Sequence, residues 1–398
     1  MKSQSNTILS INGGSSGIKF AMYEAGDLLK LLFSGEIESG GKNNSFQIID
    51  AGTLEKSSIQ IAATDRLGAI DLLIAQLERK DQFKNITMIG HRIVHGMKQT
   101  ESQLITDELL TALKNISGYD PEHLPGEIKL IEAFAKRFPA IPQVACFDTA
   151  FHHTMPPVAK LMALPRWLYE KGIQRYGFHG LSYEFLLQEL ERIAGKETAA
   201  GKIILAHLGN GASLAAVKAG KSIDTSMGFT PASGIPMGTR CGDLDPGVAW
   251  YLMQFENLTA KGFSQLINHE SGLLGISETS ADMRELLKIQ HTDSRAAEAI
   301  ELFCYQTKKW VGSFAAVLGG LETLVFSGGI GEHSPEVRRQ ICEGLQFLGI
   351  ELDETKNVNN DAVISSDASK VCVRVIPTNE ALMIAGTAWS VLKKLNRK

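Results

Sequence analysis

The chain has 398 residues, 44% of them hydrophobic and 21% charged, with a formal net charge of −4. That length allows two domains with separate cores, and the charge balance supplies no basic field to attract nucleic acid or an anionic membrane. No apolar run approaches the roughly 18 residues that span a bilayer. The segment MKSQSNTILSING has no signal-peptide h-region, and the five cysteines form no C-x-x-C, so the expectation is a cytoplasmic protein with reduced thiols.

The first 63 residues read as strands at Ile8–Ile11, Ile18–Tyr23, Leu28–Glu36, Phe46–Ile49 and Ser58–Ala62, joined by Gly/Asn/Ser turns. The first two flank a polar glycine turn, Asn12-Gly13-Gly14-Ser15-Ser16-Gly17. Asp65 then caps an amphipathic helix carrying Leu67, Ile70, Leu73, Ile74 and Leu77 on one face. Ile86–Val94 is a strand ending in His91-Arg92-Ile93-Val94-His95-Gly96. Helices follow near Thr106–Asn115 and Gly126–Arg137, and the strand Gln143–Asp148 ends on a carboxylate. In open α/β sheets that strand end faces the ligand crevice.

The second half repeats the order. The loop Arg175-Tyr176-Gly177-Phe178-His179-Gly180 leads into a helix at Ser182–Ile193. A strand at Ile203–Ala206, the turn His207-Leu208-Gly209-Asn210-Gly211 and a strand at Ser213–Lys218 form a second glycine-turn hairpin. A long Gly/Pro/Thr-rich loop after it holds Arg240, with Asp243 and Asp245 close behind. Helices are expected near Pro246–Phe255, Phe263–His269, Ser280–Lys288 and Ser294–Leu318. A buried strand, Glu322–Phe326, breaks into Ser327-Gly328-Gly329-Ile330-Gly331-Glu332, and a helix begins near Ser334-Pro335. The last strand is Val371–Ile376, and Thr378-Asn379 caps a final helix.

Either glycine turn alone could be an ordinary hairpin. Two strand–turn–strand devices about 195 residues apart imply a duplicated fold with backbone N–H groups aimed at phosphate. Neither fits the G-x-x-x-x-G-K-[ST] or G-x-G-x-x-G pattern, which argues against a P-loop or a Rossmann dinucleotide site. The fold class expected is therefore α/β, with two duplicated domains and a nucleotide cleft between them. The domains are expected at residues 1–148 plus 381–398, and at 149–380.

Arg92 and Arg240, at a strand end and in a rigid loop, suit bidentate capture of carboxylate or phosphate, though each could equally be a surface ion pair. Asp282 and Arg284 read either as a ligand pair or as a helix cap. His179, between glycines, could donate to a phosphoryl oxygen. His152-His153 have no third ligand at zinc spacing. Asp148 and Glu380 are the carboxylates best placed to work with Mg²⁺.

Nine ordered segments together resemble the acetate kinase family, within the actin/Hsp70/sugar-kinase superfamily. They are INGGSSGIKF (11–20), HRIVHG (91–96), FDTAFHHTMP (147–156), RYGFHGLS (175–182), HLGNGAS (207–213), MGFTPASGIPMGTRCGDLDPG (227–247), SADMREL (280–286), FSGGIGEHS (326–334) and PTNEALMIA (377–385). The resemblance implies duplicated ribonuclease-H-like (actin-like ATPase) domains and reversible transfer of the ATP γ-phosphoryl to acetate, with Mg²⁺ (or Mn²⁺), in a homodimer. It assigns Asp148, Arg92, His179 and Arg240 to catalysis, and Arg92, Val94 and Pro231 to the carboxylate substrate. It assigns Lys19, His207, Asn210, Gly211, Asp282, Arg284, Gly329 and Gly331 to the nucleotide, and Asn12 and Glu380 to the metal. A carboxylate nucleophile is already anionic, so Asp148 is read as a positioner of metal or arginine rather than a base.

The sequence departs from the family pattern at Gly17, where a third serine is usual, and at Met97, where a second glycine is usual. It departs again at Pro121-Glu122-His123-Leu124-Pro125, which puts Glu122 where a residue bounding the acyl pocket is expected. Propionate and butyrate kinases are alternatives within the class. A non-catalytic ATP-binding switch, and a hydroxyl kinase using Asp148 as base, are alternatives outside it.

Overall fold

A computed structural model describes residues 6–14, 17–38, 44–61 and 65–395. Ser15 and Ser16 of the first glycine turn, and Ala62 of the fifth expected strand, lie outside the described residues. Among the described residues thirteen strands divide between two sheets. The chain separates into two units, Met1–Ala150 with Asn379–Lys398, and Phe151–Thr378.

The first unit carries β1 (Thr7–Gly13), β2 (Gly17–Glu24), β3 (Lys30–Glu38), β4 (Ser45–Asp50), β5 (Lys56–Gln60), β6 (Ile86–Ile93), β7 (Gln103–Leu104) and β8 (Gln143–Phe147). Their order across the sheet is β5-β4-β3-β2-β1-β6-β8-β7. The meander β1 to β5 is antiparallel, whereas β6 and β8 run parallel to β1. Parallel strands with both faces covered read as near-continuous apolar runs, which is why QVACF was legible as a strand. Alternate residues Leu9, Ile11 and Ile89 pack with Ile70, Leu73, Leu77, Leu130 and Phe134 of helices Arg66–Glu78 and Leu124–Arg137. The helix Glu380–Leu395 packs on β1, β6 and β8. The Cys146 thiol reaches Ile384 O of that helix at 3.9 Å.

The second unit carries β9 (Lys202–Leu208), β10 (Ala212–Lys218), β11 (Lys221–Thr225), β12 (Thr323–Ser327) and β13 (Cys372–Val375), in the order β11-β10-β9-β12-β13. Pairing is antiparallel twice, then parallel twice. The run β3-β2-β1-β6-β8 of the first unit has the same order and the same directions. The duplicated α/β fold expected from the two glycine turns is thus present. Helix Gly180–Ala200 buries Tyr183, Leu186 and Leu190 against Ile203, Leu205, Val217 and Val325.

Several elements differ from expectation for local reasons. β11 escapes the sequence reading because KSIDT is mostly polar. Helix Gly180–Ala200 runs past the expected end at Ile193, but Gly195, at φ 86° and ψ 165°, interrupts it. Gly328-Gly329-Ile330-Gly331 opens a short helix, Gly328–His333, ahead of the helix expected near Ser334-Pro335. A short helix at Gly272–Ser277 was not foreseen, because GLLGIS spends two of six positions on glycine. Among the described residues no helix is long and apolar enough to cross a membrane.

Candidate active site

In the first unit, the parallel run of β1, β6 and β8 brings three strand ends side by side. Asn12 is near the end of β1, Arg92 near the end of β6, and Asp148 follows β8 directly. Asp148 is fully buried, and its Oδ2 accepts from Arg92 Nε at 3.0 Å and from Nη2 at 2.5 Å. Arg92 Nη1 donates to Asn12 Oδ1 at 3.1 Å, and Asn12 Nδ2 donates to Glu380 Oε2 at 2.8 Å. Four of the expected residues thus form one hydrogen-bonded row. Burial disfavours the Arg92 charge, but Asp148 and Glu380 outweigh it and hold the guanidinium protonated. Lys19 is exposed and pairs across from Asn12 in the β1–β2 ladder. Val94 is buried just past β6, and its N–H donates to both carboxyl oxygens of Glu127, at 3.2 and 3.1 Å.

Glu127 was not foreseen. The signal was available: it sits on the buried stripe of helix Leu124–Arg137 with Leu124, Ile128, Leu130, Ile131 and Phe134, and a carboxyl on such a stripe needs a partner. Glu122, singled out in the sequence, is exposed. Burial pushes the Glu127 carboxyl well above its ordinary range, with Arg92 pulling it down and Asp120 pushing it up.

In the second unit, His179 caps helix Gly180–Ala200 in the left-handed conformation, at φ 58°. Such a backbone costs a non-glycine residue of order 1–3 kcal/mol and clusters at functional sites. His179 Nδ1 lies 2.9 Å from Ser213 Oγ, which is also bonded to the Tyr183 hydroxyl. His152 supports the loop from below: its Nε2–H donates to Phe178 O at 3.0 Å and its Nδ1 pairs with Ser222 Oγ at 2.8 Å. Burial lowers its pKa to about 4, so it stays neutral. Arg240 Nη1 donates to Pro231 O at 3.1 Å. A Cβ built on Gly211 would lie 3.3 Å from His179 Nε2 and 3.7 Å from Arg240 Nη1. The His179 imidazole and the Arg240 guanidinium therefore converge on the Gly211 backbone, where a side chain would crowd the imidazole.

His207 stacks beside His179 with ring centroids 4.4 Å apart, and its Nδ1 pairs with Ser182 Oγ at 2.8 Å. Asn210 and Gly329 are exposed, Gly331 is buried, and Gly329 N lies 3.9 Å from a Cβ built on Gly209. Glu332 accepts from Gly328 N–H at 2.9 Å and from Thr378 N–H at 3.1 Å, which fixes the start of the helix Gly328–His333. Arg338, fully buried, donates to Gly331 O and Glu332 O. Asp282 caps helix Met283–Ile289 and pairs with Arg284, whose side chain is exposed. Ser182, Ser213 and Tyr183 are not visible as supports in the sequence, because their partners His207, His179 and Ser213 lie 25, 34 and 30 positions away.

Among the described residues no group of three or more His, Cys, Asp or Glu could hold a metal. Glu380 and Asn12 nevertheless fit Mg²⁺, which takes one or two carboxylates and leaves its remaining positions to phosphates and water.

A duplicated α/β fold with arginines at a strand end and beside a glycine turn defines a nucleotide-dependent phosphotransferase. The acetokinase family model matches residues 7–386, and the chain belongs to that family. It is 44% identical over 392 residues to the acetate kinase of Rhodopseudomonas palustris, covering 97% of this chain and 98% of the relative. The acetate kinase of Thermoanaerobacterium thermosaccharolyticum is 43% identical, with 98% and 99% covered. Among solved structures, an acetate kinase from Porphyromonas gingivalis matches with TM-score 0.86 at 37% identity, over 98% of this chain and 100% of that one. A propionate kinase from Francisella tularensis matches with TM-score 0.90 at 36% identity, over 97% and 100%.

Proposed function

We propose that this chain transfers the γ-phosphoryl of ATP to the carboxylate of acetate, reversibly, giving acetyl phosphate and ADP. The chain is a phosphotransferase with a carboxyl acceptor. A carboxylate oxygen attacks the γ-phosphorus, the bond to the β–γ bridging oxygen breaks, and ADP leaves with that electron pair. No proton has to be removed from the nucleophile. The observation that carries this reading is the engagement of Asp148 with Arg92. Asp148, read from the sequence as the base a hydroxyl acceptor would need, instead orients a guanidinium.

Arg92 then takes the substrate carboxylate, and Val94 and Pro231 bound its methyl group. His179 and Arg240 stabilise the charge on the transferring phosphoryl oxygens, where fixed donors are worth most. Lys19, His207, Asn210, Gly211, Gly329 and Gly331 serve the nucleotide phosphates and ribose, and Asp282 with Arg284 its outer edge. Asn12 and Glu380 would hold Mg²⁺, or Mn²⁺, whose charge offsets that of the phosphates. Propionate is the second acid, since one methylene is worth only about 1–3 kcal/mol in such pockets.

A homodimer and a cytoplasmic location belong to the same reading. Helix Pro246–Phe255 has no buried residue, and Trp250, Tyr251 and Phe255 are at least half exposed, as expected of a face that a second copy covers. Among the described residues no two cysteines form a disulfide.

The test is ATP-dependent acyl phosphate formation, trapped with hydroxylamine, across formate, acetate, propionate, butyrate and glycerol. Acetate should turn over best and glycerol not at all. Phosphorylation of glycerol, or tight ATP binding with no acyl phosphate from any acid, would refute the reading.

A further inference from the structure

We propose that Glu127 is the positioning residue of the acid-binding strand, clamping the Val94 backbone and, through it, the Arg92 guanidinium two residues earlier. The inference rests on the reading of Arg92 and Val94 as the carboxylate site.

The geometry is specific. Glu127 is 1% exposed, and both of its carboxyl oxygens accept from one N–H, that of Val94, just beyond the end of β6. A carboxyl buried among Leu124, Ile128, Leu130 and Ile131 costs stability that an apolar side chain would not. Here it is directed at the one strand end that carries both Arg92 and Val94.

Charge supplies the second argument. Arg92 already has Asp148 in contact and Glu380 within its field. A third ionised acid beside it would weaken its hold on an anionic substrate. The charged groups facing Glu127 are Arg92 on β6, Asp148 after β8, Asp120 with its partner His123, and Arg66 on helix Arg66–Glu78. Burial is the largest influence and favours the protonated form. Asp120 adds to it, with Oδ2 buried and lacking any hydrogen-bond partner. Burial thus opposes a third ionised charge beside Arg92, while the two contacts to Val94 N–H fix the backbone.

The experiment compares Glu127→Ala, Glu127→Gln and Arg92→Lys with the wild type. KM for acetate, KM for ATP and kcat are measured across the whole pH range in which thermal melts show the enzyme folded. Glu127→Ala should raise KM for acetate about 10-fold or more while KM for ATP moves less than about 3-fold. Glu127→Gln, whose amide oxygen can still accept from Val94 N–H, should recover most of that loss. The wild-type KM for acetate should climb with rising pH as Glu127 ionises, and Glu127→Gln should flatten the climb. The proposal is overturned if Glu127→Ala changes both KM values together or neither. It is also overturned if Glu127→Gln is as impaired as Glu127→Ala, or if its pH profile parallels the wild type. Should Glu127→Ala not fold, the profile of Glu127→Gln decides alone. Arg92→Lys separates the two levels: an unchanged KM for acetate there refutes the carboxylate site itself, whereas a raised one beside an inert Glu127→Ala refutes only the clamp.

Discussion

Arg92 shows how much one residue depends on the partners that hold it. Its guanidinium donates twice to Asp148 Oδ2 and once to Asn12 Oδ1, so its orientation exists before any substrate arrives. Asp148→Asn removes the charge that holds it while keeping the shape. We expect kcat to fall about 100-fold or more, with KM for ATP little altered, because a fixed donor at a charged transition state is worth that much. Steady-state kinetics at saturating Mg²⁺ checks this, and turnover unchanged in Asp148→Asn would remove Asp148 from the mechanism. Met97 presents the opposite case, a residue in a conformation it does not favour. It holds φ 49°, in the left-handed region, at the position where the family usually has glycine. Met97→Gly should gain about 1 kcal/mol net, the relieved strain less the entropy that glycine loses on folding. A melting temperature about 1 °C higher is the expected reading, and a lower one would mean that the Met97 side chain contributes more by packing than its backbone costs.

Among the elements, those built on strong periodicity were legible. Strands TILSING and QVACF and helix Ser294–Leu318 follow from uninterrupted apolar patterning. Strand KSIDT and helix GLLGIS are fixed by what they pair with, and their own residues carry little signal. The site divides along the same line. Arg92, Asp148, Asn12, Glu380 and His179 stood out because polar residues at strand ends and glycine turns are chemically conspicuous. Ser213 and Ser182 did not, because serine is common and their partners His179 and His207 lie 34 and 25 positions away. Glu127 was readable in principle, as a carboxyl breaking an apolar helical stripe. Helix Gly180–Ala200 offers a test of backbone reasoning alone. Gly195 holds φ 86° and ψ 165°, and a Cβ added there would meet nothing within 4 Å. The cost of Gly195→Ala is therefore conformational, about 1–3 kcal/mol in a region that only glycine populates freely. Urea unfolding measures it, and a neutral result would mean that the helix can straighten through this position.

For the whole molecule, acid should be destabilising through histidines buried in the neutral form. His91 and His152 are both pushed down to about 4 by burial, against about 6.5 in the unfolded chain. Between those values the unfolded chain binds more protons, so their contribution is complete above pH 6.5 and is lost as pH falls toward 4. Each accounts for about 3 kcal/mol over that window. Glu127, shifted upward, works in the opposite direction. Comparison with His152→Gln isolates one histidine: the wild type should lose stability relative to the variant as pH drops from 6.5 to 4, followed by urea midpoints. A constant difference across that range would show His152 to be protonated in the folded state.

Acetate carrying heavy oxygen in both carboxylate positions tests the identity of the nucleophile most directly. Direct attack by the carboxylate predicts acetyl phosphate that retains both labels, one of them in the bridge to phosphorus, with ADP formed in equal amount. ADP accompanied by unlabelled inorganic phosphate, with no labelled acyl phosphate, would contradict it, since water would then be the acceptor.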